Sequence, residues 1–565
     1  MIKGVGVSSG IAFGPSYILK NSESDINPTF LALKGTPEAE RVKLDEAITK
    51  AKHELDEIIK LPNQLDEIKE ILQAHQMMME DPELYQGSVK AIEDGVSAYD
   101  AYGEIASQFC EMLSAVEDEY LKQRVKDIKD ATQRVLGHIR GQKSHDLNTL
   151  DSPVIIVAED VPPSLAAQFS KDKVLGIITE QGGETSHTAI LANALGIPAI
   201  LGVSNAMTLC LEAIIVMDGE TGVIEVNPTA EKIQTYELKR QSQDLEKENL
   251  KIFKDQATVT KEGYQVSLYG NIGNAHDAFL VKEQGGEGVG LFRTEFLFMD
   301  VPEAPSEEIQ LKAYREALEA LDGKPVIIRT LDAGGDKHIS YLNMPKEENP
   351  FLGYRAIRYC LEHPELFKTQ LRAIHRAAVY GEPKLMIPMI TDLSEIQKVK
   401  SLVQEVKLEL DEKGIPYRDV PIGIMIETPA AAVMADILAE HVDFFSIGTN
   451  DLTQYTLAAD RMNPGVKSIY SYFNPSVLRL IHQVIQAGNQ AGIHVGMCGE
   501  AAGHEKLIPV LLAMGLKEFS MSPSKILKAR ACIKQISLEA SMDLRDRVLK
   551  AGSLEEVHAI LGLDS

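Results

Sequence analysis

Apolar positions recur along this chain with changing spacing, and the changes divide it. Residues 1–20 alternate and are broken by glycine, which predicts one or two short strands. From Thr36 the spacing becomes helical. Thr36 suits a helix cap and Pro37 the first helical position. Val42, Leu44, Ala47, Ile48, Ala51, Leu55, Ile58 and Ile59 then fall on one face. Pro62 ends that helix, a second starts near Asn63 and runs into Met77-Met78-Met79, and helical patterns continue from Ala101 to Arg140. The block reads as a helical hairpin bundle. From Ser152 the short runs PVIIVAED, VLGIIT, PAILG and AIIVMDGETGVIEVNP mark an α/β unit, with GETG as a hairpin turn. Residues 229–258 are charged, helical in period and free of Gly and Pro, which predicts a connecting helix.

Beyond residue 262, strand-like runs alternate with helical ones. QVSLYG, EGVGLF, PVIIRT, KLMIPMI, IGIMIE, DFFSIG, IHVGMC and KEFSMS are eight candidate strands within about 300 residues, the pattern of a (β/α)8 barrel. The long stretch between PVIIRT and KLMIPMI predicts an elaborated βα loop. The fold class expected is therefore multidomain α/β: an N-terminal α/β unit with an inserted helical bundle, followed by a C-terminal TIM barrel.

Composition narrows the partners. The formal net charge of -26 argues against a nucleic-acid partner and favours a basic protein partner. A small anionic substrate would need local arginine clusters. Five scattered cysteines without a CxxC pair form neither a disulfide framework nor a zinc site and fit a reducing cytoplasm. The opening MIKGVGVSSGIAFG does not read as a signal peptide, and no apolar run approaches the roughly 20 residues of a membrane span.

Candidate chemistry lies in two places. GGETSHTAILANALGIPAI follows VLGIIT directly. Gly182 and Gly183 allow a sharp turn, Thr185 or Ser186 suits a cap, and His187 then stands in the first helical turn. Free N–H groups and the positive dipole end there would stabilise a phosphoryl group on the imidazole. The second place is the set of predicted C-terminal strand ends, where barrels gather their chemistry. Arg293 follows EGVGLF, Arg329 closes PVIIR, Glu427 closes IGIMIE, Asn450-Asp451 follow DFFSIGT, and Cys498 and Glu500 follow IHVGM. Arg461 lies in the same loop as Asp451, and Arg355 and Arg358 belong to the long third loop. Guanidinium groups grip phosphate and carboxylate. Glu427 and Asp451 suit Mg²⁺, which takes oxygen ligands and shares them with a substrate phosphate. A strand-end Cys suits proton donation to carbon.

On these residues the chain resembles Enzyme I of the bacterial phosphoenolpyruvate:sugar phosphotransferase system, over essentially its whole length. The carriers are GGETSHTAI around His187, GLFRTEFLFM around Arg293, GTNDLTQYTLAADR from Gly448 to Arg461, GMCGE around Cys498, and AHQMMMEDPEL in the helical insertion. The resemblance implies a phosphohistidine domain over 1–22 plus 145–228, a helical subdomain docking the phosphocarrier HPr over 23–144, a linker helix over 229–261, and a phosphoenolpyruvate-binding, dimerising barrel over 262–565. It implies that His187 takes the phosphoryl group on Nε2, that Cys498 protonates the enolate, that Arg293, Arg329, Arg355, Asn450 and Arg461 hold the substrate, and that Glu427 and Asp451 hold Mg²⁺. Phosphorylated His187 then serves a histidine of HPr, with a cytoplasmic homodimer expected. Two alternatives stay open: a nitrogen-regulatory paralogue, and a phosphoenolpyruvate synthase or pyruvate phosphate dikinase relative. The latter need a large nucleotide-binding domain, and no G-x-x-x-x-G-K-[ST] occurs here. Met77-Met78-Met79 suits either an adaptable docking face or helix-pair core. Glu80, Asp81 and Glu83 suit either attraction of a basic partner or a solvated face.

Many relatives carry Arg where this chain has Glu184 and Asn193. The helix N-terminus is therefore expected to carry more of the phosphoryl stabilisation at His187. The double variant E184R/N193R is expected to hydrolyse its phosphohistidine more slowly than wild type in a label-decay assay. An equal decay rate would count against that division of work.

Overall fold

A computed structural model describes residues 2–19, 36–60, 66–114, 119–141, 152–166, 168–183, 186–299, 301–335, 337 and 339–563. The chain forms two compact units, Met1–Leu245 and Glu246–Ser565.

Among the described residues, the first unit holds an eight-stranded sheet and, between its third and fourth strands, five helices. Its strands are β1 (Ile2–Lys3), β2 (Val5–Ser8), β3 (Ile11–Leu19), β4 (Val154–Ala158), β5 (Val174–Thr179), β6 (Ala199–Leu201), β7 (Ile214–Asp218) and β8 (Val223–Val226), in the order β1-β8-β7-β3-β4-β5-β6-β2. The opening segment thus makes three strands where the alternation suggested one or two, because Gly4 and Gly10 interrupt a single extended run. The GETG hairpin closes β7 on β8, with Asp218 Oδ1 accepting from the Glu220 and Thr221 N–H groups at 3.1 and 3.3 Å.

The helices are α1 (Pro37–Ile59), α2 (Asp66–Met79), α3 (Pro82–Glu93), α4 (Ala98–Ser114) and α5 (Glu119–Arg140). Thr36 caps α1 by accepting from Ala39 N, and Pro37 stands at its start. Leu44, Ala47, Ile48, Ala51, Leu55 and Ile58 are buried as the period predicts. Val42 is exposed instead, one turn position off the stripe. The break at Pro62 and the start near Asn63 lie outside the described residues, as does Glu184. One apolar cluster joins the helices to the sheet, running from Leu44 and Tyr102 to Ile156 and Ile177. The helix Ala230–Lys251 is shorter than the charged stretch suggested and is followed by turns.

The second unit is a closed barrel of eight parallel strands: β9 (Ser267–Ile272), β10 (Val289–Arg293), β11 (Pro325–Arg329), β12 (Glu382–Ile387), β13 (Ile422–Ile426), β14 (Phe444–Ile447), β15 (His494–Met497) and β16 (Glu518–Met521), β16 pairing back to β9. Each of the eight predicted runs supplies one strand. The third βα loop is elaborated, with 3-10 turns at Ser340–Leu342 and Pro350–Leu352 before the helices Ile357–Glu362 and Pro364–Ala377. Among the described residues, no helix is long and apolar enough to cross a membrane.

Arg530 ties the lead-in segment to the barrel. It is 1% exposed and donates to Thr258 Oγ1, to the Phe253 and Lys254 carbonyls and to Gly285 O, at 2.5 to 3.0 Å. Removing it leaves the buried Thr258 hydroxyl and three partly buried carbonyls without this donor. R530M is expected to lose about 3 kcal/mol of barrel stability, read from the urea midpoint of the full chain.

Candidate active site

The C-terminal strand ends of the barrel converge on a buried charge network. Arg329 ends β11, and its backbone is held in place by Thr294, whose hydroxyl donates to Arg329 O at 2.7 Å. Gln370 on the helix Pro364–Ala377 in turn donates to Thr294 Oγ1 at 3.1 Å. The Arg329 guanidinium donates to Glu295 Oε1 at 2.5 Å and meets Asp332 Oδ2 at 3.2 Å. Lys337 Nζ reaches the same two carboxylates, at 2.7 and 2.8 Å. Arg355 brackets Asp332 through Nε and Nη2, the shortest contact being 2.8 Å, and meets Asp451 Oδ2 at 3.5 Å. Ala356, next to Arg355, holds a φ of 53° and ψ of -126°, a conformation rare outside glycine. Its N–H donates to Ala333 O, which fixes the loop where Arg355 turns inward.

Burial alone would raise both carboxyls. Arg329 and Lys337 nonetheless hold Glu295 below its ordinary range. Arg355, Lys337 and Arg329 hold Asp332 well below it. Arg329 stays charged against its burial because Glu295 and Asp332 face it.

Glu427, just past β13, behaves in the opposite way. Burial raises it, and the charges of Asp451 and Asp332 add to the rise. Its Oε1 accepts from Met389 N at 2.7 Å, a backbone position with a φ of 60°. Asp451 is buried on the first turn of the helix Thr449–Leu457, and its Oδ1 is buried without a hydrogen bond, 3.7 Å from Arg461 Nη1. Two buried oxygen donors, one resisting its charge and one holding an unbonded oxygen, fit a hard divalent cation that would supply the missing positive charge.

Cys498 follows β15 and is 4% exposed. Its Sγ lies 3.9 Å from Ile447 O, and burial pushes the thiol up to about 11, the Ser446 hydroxyl and Arg329 working against the rise. It therefore holds its proton at neutral pH. Beside it opens a cavity of about 270 Å³ lined by Asn271, Arg293, Asn450, Cys498, Glu500 and Lys525, among others. Arg293 is exposed there, and Asn450 Nδ2 donates to Glu500 Oε1 at 3.4 Å. Arg461 lies over the Phe351 ring at 5.4 Å, and Arg355 over the same ring at 5.9 Å.

The barrel thus brings Arg293, Arg329, Arg355, Glu427, Asn450, Asp451, Arg461 and Cys498 to one end. Arg358 does not join them: it donates to the Leu352 and Gly353 carbonyls and braces the loop. Glu295, Asp332, Lys337, Asn271 and Lys525 were not anticipated from the chain. Asp332 and Lys337 stand in LDAGGDK and Glu295 in FRTEF. Their only signal was proximity to an arginine or a Gly pair.

In the other unit, His187 is the first residue of the helix His187–Leu195. Ser186 is the cap, its Oγ accepting from Ala189 N at 3.3 Å. Thr185, the other cap candidate, lies outside the described residues. Asn193 Nδ2 donates to Val7 O at 2.8 Å and to Ala189 O at 3.0 Å, so this side chain ties the helix to β2. In the helical bundle, Met79 is buried, Met78 half-buried and Met77 76% exposed. Asp81 caps α3 through the Glu83 and Leu84 N–H groups.

Comparison with known proteins gives the class and then the family. Three models of PEP-utilising enzymes match: the N-terminal domain at residues 3–124, the mobile domain at 150–222 and the PEP-binding domain at 247–538. The phosphoenolpyruvate-protein phosphotransferase of Priestia megaterium is 44% identical over 98% of this chain and 97% of its own length. That of Bacillus subtilis is 43% identical over 99% of each. A solution NMR structure of Enzyme I protein is 33% identical, covering 43% of this chain and 100% of its own, at a TM-score of 0.38. The chain belongs to the phosphoenolpyruvate-protein phosphotransferases.

The raised thiol has a measurable sign. A buried thiol near 11 presents far less thiolate at pH 8 than a free one near 8.5. Iodoacetamide is expected to label Cys498 on the order of a hundredfold more slowly than an unfolded-chain cysteine, by peptide mass mapping. The rate should climb as pH rises toward 10.

Proposed function

We propose that this chain takes the phosphoryl group of phosphoenolpyruvate onto His187 and passes it to a histidine of the phosphocarrier HPr. Pyruvate is released, and the reaction is the first step of sugar phosphotransferase transport in the cytoplasm. One observation carries the reading: a buried cysteine, its thiol raised by that burial, stands beside an arginine-bearing cavity at the same barrel end as Glu427 and Asp451.

Each residue then has a task. Arg293, Arg329, Arg355 and Arg461, with Asn450, bind the phosphate and carboxylate of the substrate. Arg329 and Arg355 are pre-oriented by Glu295 and Asp332, so little reorganisation is needed when the substrate binds. Glu427 and Asp451 would hold Mg²⁺, which when bound supplies positive charge to the phosphate oxygens. His187 attacks phosphorus through Nε2. Its helix start offers N–H groups and a positive dipole end to the phosphoryl group it then carries. Breaking the C–O–P linkage leaves an enolate, and Cys498 delivers the proton to its terminal carbon. Exposed Met77, with Glu80 and Glu83 near it in the chain, suits a basic carrier surface. A homodimer through the barrel completes the reading.

Incubation with ³²P-phosphoenolpyruvate and Mg²⁺ is expected to give an acid-labile, base-stable label that HPr removes. H187A should take none. R293A should still be labelled, but with at least a tenfold higher KM for phosphoenolpyruvate. Absence of label on wild type, or labelling from ATP plus pyruvate instead, would overturn the assignment.

A further inference from the structure

The inside of the barrel is apolar on one side and polar on the other. Leu291, Ile327, Met386, Met425 and Phe444 pack together with Cys498. Along β14, β15 and β16, however, Ser446, Gly496 and Glu518 stand in register across three neighbouring strands. The outer helix Pro475–Ala491 decides which way they face. A Cβ at Gly488 of that helix would meet Val495 and Phe445, so the alternate residues Ser446, Gly496 and Cys498 point to the barrel axis.

Glu518 is fully buried, and the chemistry above gives it no task. One carboxylate oxygen, Oε2, hydrogen-bonds His494 Nε2 at 2.8 Å. The His494 side chain starts β15 at the opposite end from the substrate cavity and is 33% exposed. The other oxygen, Oε1, lies over Gly496, where an added Cβ would come within 2.5 Å of it. On the other side, a Cβ at Gly290 would meet the Ser520 side chain at 2.5 Å and fall 3.1 Å from the same oxygen. Glu518 Oε1 is buried without a hydrogen-bond partner, and so is Ser446 Oγ across the glycine. The Ser446 hydroxyl also faces the Cys498 thiol closely enough to weaken its hold on the proton, though without an aligned hydrogen bond. These two buried oxygens without partners, on strands in register either side of Gly496, are the ends that a single water would bridge.

We propose that His494, Glu518, a water between Glu518 Oε1 and Ser446 Oγ, and Ser446 itself form the route by which Cys498 regains its proton after each pyruvate. The proposal rests on the reading of Cys498 as the proton donor. When the enolate carbon takes the Cys498 proton, a C–H bond forms and a thiolate remains on a residue that is 4% exposed. A proton taken from solvent by His494 passes to the Glu518 carboxylate, the carboxyl so formed passes it to the water, the water passes one to Ser446 Oγ, and the Ser446 hydroxyl proton goes to sulfur. Every group in the relay loses one proton and gains one. The net uptake is one solvent proton per pyruvate, with no redox change. Ser446, Glu518 and His494 touch no substrate and act only through Cys498.

Two exchange rates separate this route from a structural role. Carbon label passes between pyruvate and phosphoenolpyruvate by reversal of one step, with the same proton shuttling on and off Cys498. Deuterium from solvent enters the pyruvate methyl group only if Cys498 is refilled from outside. Both are read by NMR in D₂O on the full chain with phosphoenolpyruvate, ¹³C-pyruvate and Mg²⁺. H494Q keeps a donor to Glu518 but cannot relay a proton, and S446A removes the hydroxyl. In both variants deuterium uptake is expected to fall at least tenfold relative to carbon exchange, with imidazole restoring it in H494A. An unchanged ratio in H494Q and S446A, whether both rates hold or fall together, overturns the route. Loss of both rates in wild type would instead overturn the reading of the active site.

Discussion

Asp332 has no exposed surface and accepts contacts from Arg329, Lys337 and Arg355. The barrel mouth depends on this arrangement. Three cations brought together from the end of one strand and the long loop that follows it repel one another, and burial makes each more costly. Asp332, with Glu295, offsets both effects and fixes the guanidinium planes before any ligand arrives. Removing one member would leave uncompensated buried charge, which costs more than the pair contributes when intact. The network is thus a device for orientation more than for stability, and it leaves a site poised for an anion.

The same accounting explains why the two candidate metal ligands differ from the two structural carboxylates. Glu295 and Asp332 sit among cations and are held ionised. Glu427 sits in burial beside Asp451 and Asp332 and is raised. The charge it lacks is what a divalent cation brings. Cys498 is raised by the same burial, and this keeps the thiol a proton donor instead of a nucleophile. Low dielectric surroundings therefore assign opposite tasks to groups only a strand or two apart.

The barrel's inner face extends this logic toward its other end. A chemically simple run, Ser446 across Gly496 to Glu518 and His494, links the buried donor to a half-exposed ring. Glycine at 290 and 496 serves a purpose here that its conformational freedom does not explain. The space over Gly496 is taken by the Glu518 carboxyl group and that over Gly290 by the Ser520 side chain, and a Cβ at either would collide with it.

Periodicity alone determined most of the architecture. Eight apolar runs separated by helical stretches close into a parallel barrel because few other arrangements bury such strands on both faces. The reactive positions were legible for the same reason: a residue just past a strand's C-terminal end must lie at the barrel mouth, so Arg329, Glu427 and Cys498 were placed by their position in the run. The helix start at His187 was legible from Gly-Gly and a capping Ser. Asp332, Glu295 and Lys337 were not, because an acidic or basic residue in a loop carries no sign of whether it is buried. Val42 and Met77 escaped for a related reason: helical spacing defines a stripe, but the neighbours that cover its edges come from other helices. Glu518 and Ser446 read as ordinary strand residues until three strands set them in register. The chain determined which elements form and where they end. Tertiary packing decided which charged groups would share a low-dielectric space, and there their protonation and orientation depend on partners that lie far away in the chain.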